Sequence, residues 1–296
     1  MLTIIPDIHA DQKRLSASLA AVNKSSSIGF LGDFIDAGSD RHSTVDEFSV
    51  LTEVRRLIET KEAVGVMGNH ELNAILFHRR GASGQPLRPH DPKNLKQHLS
   101  FIETFGIETD EAMDWTSWFL EALPLWREID GLRLVHAFWS DKVIEIVRAR
   151  RPDGLLLVED LPEIAAESSA FGRAVKLLVS GPELPLPGGA TIKDFKDHSR
   201  TDVRIAWWRN GAKSWRELAL SVQDPTQVPD IPLELGQVSE FYPFDVSPVL
   251  VGHYKMNPPI RLEHSKAACL DYPYAACVYQ WGGEESLEPS NFLPAV

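Results

Sequence analysis

Five segments of the sequence each end an apolar run on side chains that can bind metal ions. The donors are carboxylate, amide and imidazole groups: Asp7 and His9 after TIIP, Asp33 after FLG, Asn69 after VMG, His136 after LRLV, and His253 after VLVG. Singly, each has a simpler explanation, because an acid at a strand end often caps a helix or faces solvent, and a buried histidine often only bonds within the core. Together, six donors at strand ends predict one shared metal site.

The donor chemistry narrows the choice of metal. A mixed set of carboxylate, amide and imidazole ligands suits first-row divalent ions such as manganese, iron, cobalt, nickel or zinc, and does not suit calcium, which prefers oxygen ligands. The set contains no cysteine, which argues against a structural zinc site. Six donors are too many for one tetrahedral ion and fit two ions that share a carboxylate. Two ions about 3.5–4 Å apart can hold an attacking hydroxide and orient a phosphoryl group.

The first third of the chain alternates between strand and helix patterns. LTIIPD, SIGFLGD and AVGVMGNHE are typical of short strands, whereas DQKRLSASLAAVN, TVDEFSVLTEVRRLIET and LNAILFH are typical of helices. This alternation predicts a parallel or mixed sheet covered by helices, in which ligands bind outside the carboxyl ends of the strands. The six donors should therefore converge there. Asp7 and His9 are two residues apart, a spacing that points both side chains the same way on an extended chain.

The rest of the chain is less regular. WREIDGLRLVHAFW predicts a hairpin that turns at Asp130 and Gly131, and SPVLVGHY, AACLDY and AACVYQW predict further strands. Between about residues 150 and 245, a helical pattern precedes a Pro- and Gly-rich break and a basic segment with tryptophans. We expect a single domain over residues 1–296, with the 150–245 segment as an insertion that covers one rim of the crevice.

Composition excludes several classes of protein. The 296 residues carry a net charge of -12, which argues against a long nucleic-acid partner, because phosphate neutralisation needs a basic face. Apolar runs are shorter than the roughly 20 residues of a membrane helix, and the first residues lack the pattern of a secretion signal. Two cysteines, Cys269 and Cys277, are too few for a disulfide scaffold. We therefore expect a cytoplasmic protein with free thiols and no membrane partner.

The donors stand within a set of ordered motifs. These are D-x-H at Asp7–His9, G-D-x-x-D at Gly32–Asp36, G-N-H-E at Gly68–Glu71, a lone His136 after a strand, and G-H at Gly252–His253. The set resembles the calcineurin-like metallophosphoesterases. With a single terminal histidine, it is similar to the branch of protein phosphatases and diadenosine tetraphosphatases. The resemblance covers nearly the whole chain except the 150–245 segment. It implies an α/β fold, a sandwich of two mixed β-sheets flanked by helices.

The resemblance also implies a role for each motif residue. Asp7, His9 and Asp33 would hold one of two divalent cations, for which we expect manganese. Asp33 would bridge to the other cation, held also by Asn69, His136 and His253. His70 would be the general acid that protonates the leaving oxygen, paired with Asp36, since a neighbouring carboxylate raises the pKa of a histidine. Asn69 and His70 would also contact the phosphate.

One position departs from this pattern. Ala37 stands where the branch usually has a phosphate-binding arginine. Another cation should then face the phosphate, and we predict Arg200 and Arg204 of the 150–245 segment for this role. The alternative is that these arginines pair with the neighbouring acids Asp194, Asp197 or Asp202 at the surface. Arg41 and Lys255 are further candidates.

The sequence thus predicts a metal-dependent phosphoesterase that acts on phosphate esters or anhydrides. A small phosphorylated molecule or a dinucleoside polyphosphate is the favoured substrate, because the 150–245 segment could roof the cleft. The alternatives are a phosphoprotein phosphatase and a non-catalytic metal-binding scaffold. Trp207 and Trp208 are expected in the core, with stacking on a base as the alternative. The remaining histidines are expected at the surface: His42, His78, His90, His98, His198 and His264.

Overall fold

The computed structural model describes residues 1–23, 25–37, 44–193, 199–234, 236, 238 and 241–295. Several residues of the predictions lie outside the described residues: Arg41, His42, Asp194, Asp197 and His198. No helix in these ranges is long and apolar enough to cross a membrane.

The described strands and helices are as follows in chain order. The strands are β1 (Leu2–Ile5), β2 (Ser27–Phe30), β3 (Ala63–Gly65), β4 (Trp126–Ile129), β5 (Leu132–Val135), β6 (Glu183–Pro185), β7 (Ile192–Lys193), β8 (Ser199–Arg200), β9 (Asp202–Ile205), β10 (Ala219–Leu220), β11 (Val249–Val251), β12 (Ala267–Cys269), β13 (Cys277–Trp281) and β14 (Phe292–Pro294). The helices are α1 (Gln12–Ala20), α2 (Glu47–Glu59), α3 (Asn69–Phe77), α4 (Pro92–Gln97), α5 (Leu99–Phe105), α6 (Asp110–Ala122), α7 (Asp141–Arg148), α8 (Leu161–Ala166), α9 (Ala170–Ser180) and α10 (Trp215–Leu218).

Two mixed sheets form the body of the protein. The first has the order β14-β13-β1-β2-β3, in which β1, β2 and β3 are parallel and β13 runs antiparallel to β1. The second has the order β12-β11-β5-β4, in which β11 is parallel to both neighbours and β4 and β5 form an antiparallel hairpin. The predicted α/β sandwich of mixed sheets is therefore confirmed.

The sheets face each other across a shared apolar layer. Leu2 and Ile4 of β1 join Leu134 of β5 and Leu250 of β11 in one buried cluster. Their alternate neighbour Ile5 belongs instead to a larger cluster with helix residues, because successive strand residues point to opposite faces. Each sheet is thus covered by its partner on one face and by helices on the other.

The first two helices, α1 and α2, begin at acidic caps. Asp11 accepts hydrogen bonds from the backbone N–H groups of Lys13 and Arg14 and starts α1. Asp46 accepts from the N–H of Ser49 and starts α2. A carboxylate at this position satisfies N–H groups that have no partner inside the helix.

The 150–245 segment has its own small apolar core. A three-stranded sheet of order β10-β9-β6 supports it, and Val203, Ile205, Trp215 and Leu218 lie within it. Between β6 and β9 in the sequence, the shorter strands β7 and β8 form an antiparallel pair. No periodic pattern predicted these strands, since strands of two to four residues are too short to show one.

Two buried tryptophans lie where this segment packs against the body of the protein. Trp207 and Trp208 are both 1% exposed, so the core placement is correct and base stacking is excluded in this conformation. The indole N–H of Trp207 donates to the carbonyl of Ala137 at 3.0 Å and to the hydroxyl of Tyr254 at 3.1 Å. Ala137 and Tyr254 directly follow His136 and His253. The segment is therefore joined to the two loops that carry those histidines.

Candidate metal centre

Loops at the strand ends bring the predicted donors together. Asp7 and His9 follow β1, Asp33 and Asp36 follow β2, and Asn69 and His70 open α3 after β3. The second sheet contributes His136 after β5 and His253 after β11. The site therefore lies at the carboxyl ends of strands from both sheets. A single sheet could not supply the whole donor set.

Left-handed backbone conformations aim several of these side chains. The φ angles are 52° at His9, 54° at Asp33, 66° at Asp36 and 72° at His253. Such angles cost residues other than glycine on the order of 1–3 kcal/mol each and concentrate at functional sites. Asp7 and His9 consequently approach each other through a turn. The extended geometry predicted for them is wrong, because β1 ends at Ile5.

Two motif glycines leave room for the carboxylates. A Cβ atom at Gly252 would collide with Oδ1 of Asp7, and one at Gly68 would collide with Oδ1 of Asp33. Backbone hydrogen bonds hold both carboxylates in these positions. The N–H of His253 donates to Asp7 Oδ2 at 3.0 Å, and the N–H of His70 donates to Asp33 Oδ1 at 2.9 Å. The glycines of G-N-H and G-H are therefore needed for the acids to reach the site.

Asp33 lies between two groups of donors. Its Oδ2 is 3.4 Å from His136 Nε2 and 4.0 Å from His9 Nε2. Ligand atoms of Asp33, His136 and His253 all lie within 4.8 Å of one another, as do those of Asp33, His9 and His70. Asp33 is thus common to both groups, as a bridging ligand must be.

The other two predicted ligands join these groups. Asn69 Oδ1 is 2.7 Å from His253 Nδ1 and 3.1 Å from His136 Nε2. Asp7 Oδ2 is 3.9 Å from His9 Nε2, so Asp7 lies at the edge of the group that contains His9. All six predicted ligands are therefore neighbours in space.

Burial and neighbouring charges strongly shift the pKa values of the side chains in the site. Burial raises the pKa of Asp7 well above its usual value, and the Asp271 carboxylate raises it further. Burial alone would raise the pKa of Asp33, but the charges of His136 and His70 hold this pKa well below its usual value. The Asp33 charge in turn outweighs burial at His136 and raises the pKa of that histidine to about 10. Burial, followed by the charge of His70, lowers the pKa of His9 to about 3.

The residues present fit divalent cations. The convergent atoms are carboxylate and amide oxygens and imidazole nitrogens, the mixture that first-row divalent ions prefer. The carboxylates of Asp7, Asp33 and Asp271 are all at most 2% exposed, and Asp7 is disfavoured as an anion by the other two. A positive charge between the donors would relieve that repulsion.

His70 and Asp36 form a hydrogen-bonded pair beside the donors. His70 Nδ1 is 2.7 Å from Asp36 Oδ2, and His70 Nε2 points toward the site, 4.0 Å from Asp33 Oδ2. Burial would lower the pKa of His70, but Asp33 and Asp36 raise it above its usual value. With Nδ1 engaged by Asp36, His70 can donate a proton from Nε2.

The structure adds residues that the sequence analysis did not assign. Glu71 is buried and accepts the N–H groups of Asp33 and Phe34, both at 2.8 Å, and of Gly68 at 3.0 Å. Asp271 accepts the N–H of Lys255 at 2.9 Å, which fixes the loop after His253. Glu71 is the last residue of the G-N-H-E motif, and Asp271 is the acid at the end of AACLDY. Both positions could be noticed in the sequence, but the backbone N–H groups that they accept could not be read from it.

The surface prediction for three histidines is wrong. His78, His98 and His264 are 2%, 4% and 4% exposed. His98 is part of the site, because its Nδ1 is 2.7 Å from Asp36 Oδ1. His90 is half-buried, with its Nε2 2.9 Å from the carbonyl oxygen of Phe77. His78 and His98 pack against Phe77 and Phe101, whereas His264 stacks on Phe244. The polar local sequence around these histidines conceals such contacts.

The two predicted arginines lie in different places. Arg204 is half-buried on β9, with its Nε 3.3 Å from Glu183 Oε1. Burial lowers the pKa of His253 well below its usual value, and the charge of Arg204 lowers it further. Arg200 is exposed on β8. Lys255 also acts on the site, since its charge contributes to the low pKa of His9.

Comparison with known proteins places this geometry in a family. The model of the calcineurin-like phosphoesterases matches residues 1–181, more than half of the 296-residue chain. No protein in a search of curated sequences matches the chain significantly.

Several solved structures are similar to the chain as a whole. One is assigned as a diadenosine tetraphosphatase, with 15% identity and a TM-score of 0.41, over 99% of this chain and 92% of that one. A cold-active protein-tyrosine phosphatase of a psychrophilic Shewanella species has 14% identity and a TM-score of 0.46, over 94% and 74% of the chains. A Saccharomyces cerevisiae protein serine/threonine phosphatase has 13% identity and a TM-score of 0.40, over 99% and 78%. All three TM-scores are below 0.5, so these similarities are distant.

Proposed function

The chain belongs to the calcineurin-like phosphoesterase family, and from this premise we propose that it hydrolyses phosphate esters or anhydrides at a dinuclear metal centre. The observation that carries the proposal is the position of Asp33, whose carboxylate is shared by two groups of donor atoms. We propose manganese for both cations, held by Asp7, His9 and Asp33 on one side and by Asp33 with the remaining predicted ligands on the other: Asn69, His136 and His253. When bound, the cations supply charge neutralisation of the phosphoryl group and activation of a water nucleophile.

The protein side chains would handle the leaving group. His70 Nε2 faces the donors, whereas its Nδ1 is held by Asp36. In this arrangement His70 would protonate the leaving oxygen from Nε2, and Asp36 would stabilise the imidazolium until that proton is given up. A purely metal-binding scaffold has no use for such a pair, so the pair favours an enzyme. Asn69 and His70 would also contact the phosphate before transfer.

We propose a small phosphorylated molecule or a dinucleoside polyphosphate as the substrate class. The net charge of -12 disfavours a long nucleic acid. The 150–245 segment is fastened beside the loops of His136 and His253 through Trp207, which supports a cleft bordered on that side. A phosphoprotein phosphatase is the alternative within the same chemistry.

A substrate panel tests the proposal. The full chain, loaded with manganese, would be assayed with p-nitrophenyl phosphate, bis-p-nitrophenyl phosphate, diadenosine tetraphosphate and a phosphopeptide. We expect turnover of the monoester and the dinucleotide that is lost in Asp33→Asn. Faster turnover of the phosphopeptide would favour the phosphoprotein alternative. No turnover of any substrate with manganese, zinc, iron, cobalt or nickel would refute the enzyme proposal.

A further inference from the structure

The Asp36 carboxylate is the midpoint of a longer row of buried hydrogen bonds. On one side lies His70. On the other, His98 Nδ1 is 2.7 Å from Asp36 Oδ1, and His98 Nε2 is 3.0 Å from His78 Nε2. The row ends where the backbone N–H of Glu108 meets His78 Nδ1 at 3.0 Å. It therefore runs from the start of α6, past α3 and α5, to the metal centre.

The last contact determines the direction of every other one. A backbone N–H can only donate, so His78 Nδ1 must accept and carries no hydrogen. The single hydrogen of a neutral His78 is then on Nε2 and is donated to His98 Nε2. His98 Nε2 is thereby an acceptor, so the hydrogen of His98 is on Nδ1 and is donated to Asp36. Each histidine has one tautomer that satisfies all of its contacts.

Burial favours the neutral state of His78 that this pattern requires. His78 and His98 are 2% and 4% exposed. Burial lowers the pKa of His78 to about 3. The His98 ring stacks on Phe101 with centroids 4.6 Å apart, and its edge meets Phe77 at 5.2 Å. The rings are therefore held in place by apolar contacts as well as by the hydrogen bonds.

We propose that His98 and His78 are positioning residues for the general acid. His98 donates to one oxygen of Asp36, which leaves the other oxygen turned toward His70 Nδ1. His70 is thereby kept in the orientation that presents Nε2–H to the leaving group, and His78 holds His98 in the tautomer that can donate. The inference rests on the proposed function for the role of His70, but the tautomers follow from the geometry alone.

The tautomers can be observed directly. The full chain would be labelled with 15N-histidine and loaded with zinc, which is diamagnetic, and two-bond 1H–15N correlation spectra would be recorded. His98→Asn identifies the His98 signals by their loss. We expect His98 as the Nδ1–H form and His78 as the Nε2–H form. An Nε2–H or doubly protonated His98 would overturn the proposal, even if the protein hydrolysed every substrate in the panel.

Kinetics with a matched pair of variants tests the consequence. His98→Asn retains an N–H donor near the place of Nδ1, whereas His98→Leu fills the apolar space without a donor. We expect His98→Leu to lower kcat for an alkyl phosphate by about 10-fold or more at unchanged KM and metal content, the size of one hydrogen bond to a charged group. The kcat of His98→Asn should remain within about threefold of the wild-type value, a smaller loss than the removal of one neutral hydrogen bond would cause. The loss in His98→Leu should shrink for p-nitrophenyl phosphate, which needs no proton.

His90→Leu is the control, because His90 stacks on the same Phe77 at 3.9 Å but makes no bond to the row. Equal losses in His98→Leu and His98→Asn would mean a packing role and would overturn the proposal, as would a fully active His98→Leu. A wild-type chain that hydrolyses nothing would refute the proposed function instead, while the tautomer spectra would still decide the positions of the hydrogens.

Discussion

At the residue scale, the proposed mechanism gives Asp33 and His70 different roles. Asp33 contacts both groups of donors, so in the proposed mechanism its charge would allow two cations to lie close together. His70 contacts Asp36 through one nitrogen and faces the site with the other. We therefore expect the two residues to make separable contributions, one to metal binding and one to proton transfer.

The first prediction concerns the bridge. Asp33→Asn keeps the size and the hydrogen-bonding oxygen of the side chain but removes its negative charge. We expect the bound metal to fall from two ions per chain and activity to fall with it, because two cations would repel each other without the shared carboxylate. Elemental analysis after gel filtration measures the metal content. Two tightly retained ions per chain in the variant would show that Asp33 does not bridge.

The second prediction separates chemistry from binding. His70→Ala should retain its metals and lose kcat by about 10²–10⁴-fold, the usual share of a general acid. The loss should be largest for alkyl phosphates and smallest for p-nitrophenyl phosphate, whose leaving group departs without a proton. Rates for a series of leaving groups with different pKa values measure this dependence. An equal loss across the series would contradict the assignment.

The residues themselves were partly predictable. The proposed ligands and the proposed general acid stand in local motifs, so their types and spacing could be read from the sequence. His98 could not, because its contact with Asp36 joins residues 62 positions apart and arises from the packing of α4 and α5 against α3. Local polarity around His98 resembles a surface loop, and only tertiary structure shows that the ring is buried.

At the element scale, the site depends on how closely strand-end loops approach one another. Residues 252–255 after β11 pass over Asp7, and their N–H groups bond to Asp7 and Asp271. A side chain on Gly252 would occupy the space of the Asp7 carboxylate. The strands β1, β2, β3, β5 and β11 were predicted because each combines an apolar run with a polar end. The short strands β6 to β10 carry no such signal.

The third prediction tests this approach. Gly252→Ala should displace the Asp7 carboxylate and lower the affinity for divalent cations by about 10–100-fold, as other changes behind metal ligands do. Gly211→Ala is the control, because a Cβ at Gly211 meets nothing within 4 Å. Calorimetric titration of both variants with manganese measures the difference in metal affinity. Wild-type affinity in Gly252→Ala would mean that Asp7 contributes little to the site.

At the scale of the whole molecule, an acidic protein must attract an acidic substrate. The net charge of -12 repels phosphate, so attraction has to come from the cations and from individual basic side chains in the cleft. The sandwich and its helices could be predicted from the alternating patterns and from the motif resemblance. The way the 150–245 segment attaches could not, since it depends on Trp207 reaching the loops of His136 and His253.

That segment also carries a basic residue whose charge acts on a predicted ligand. After burial, the charge of Arg204 on β9 lowers the pKa of His253, whereas Arg200 is exposed on β8. A phosphoryl group in transfer spreads charge over three oxygens, and two cations neutralise only part of it. Since Ala37 supplies no charge, Arg204 is the better placed of the two predicted arginines.

The fourth prediction compares them. Arg204→Gln should lower kcat/KM by about 10- to 100-fold with unchanged metal content, which corresponds to one charge-assisted hydrogen bond of roughly 1.5–3 kcal/mol. Arg200→Gln should stay near the wild type. Glu183→Gln removes the acid that lies 3.3 Å from Arg204 and should leave activity equal or higher, since it frees the guanidinium for phosphate. If Arg204→Gln and Glu183→Gln instead change only the melting temperature, the arginine serves a surface ion pair and the phosphate contact must come from another cation such as Lys255.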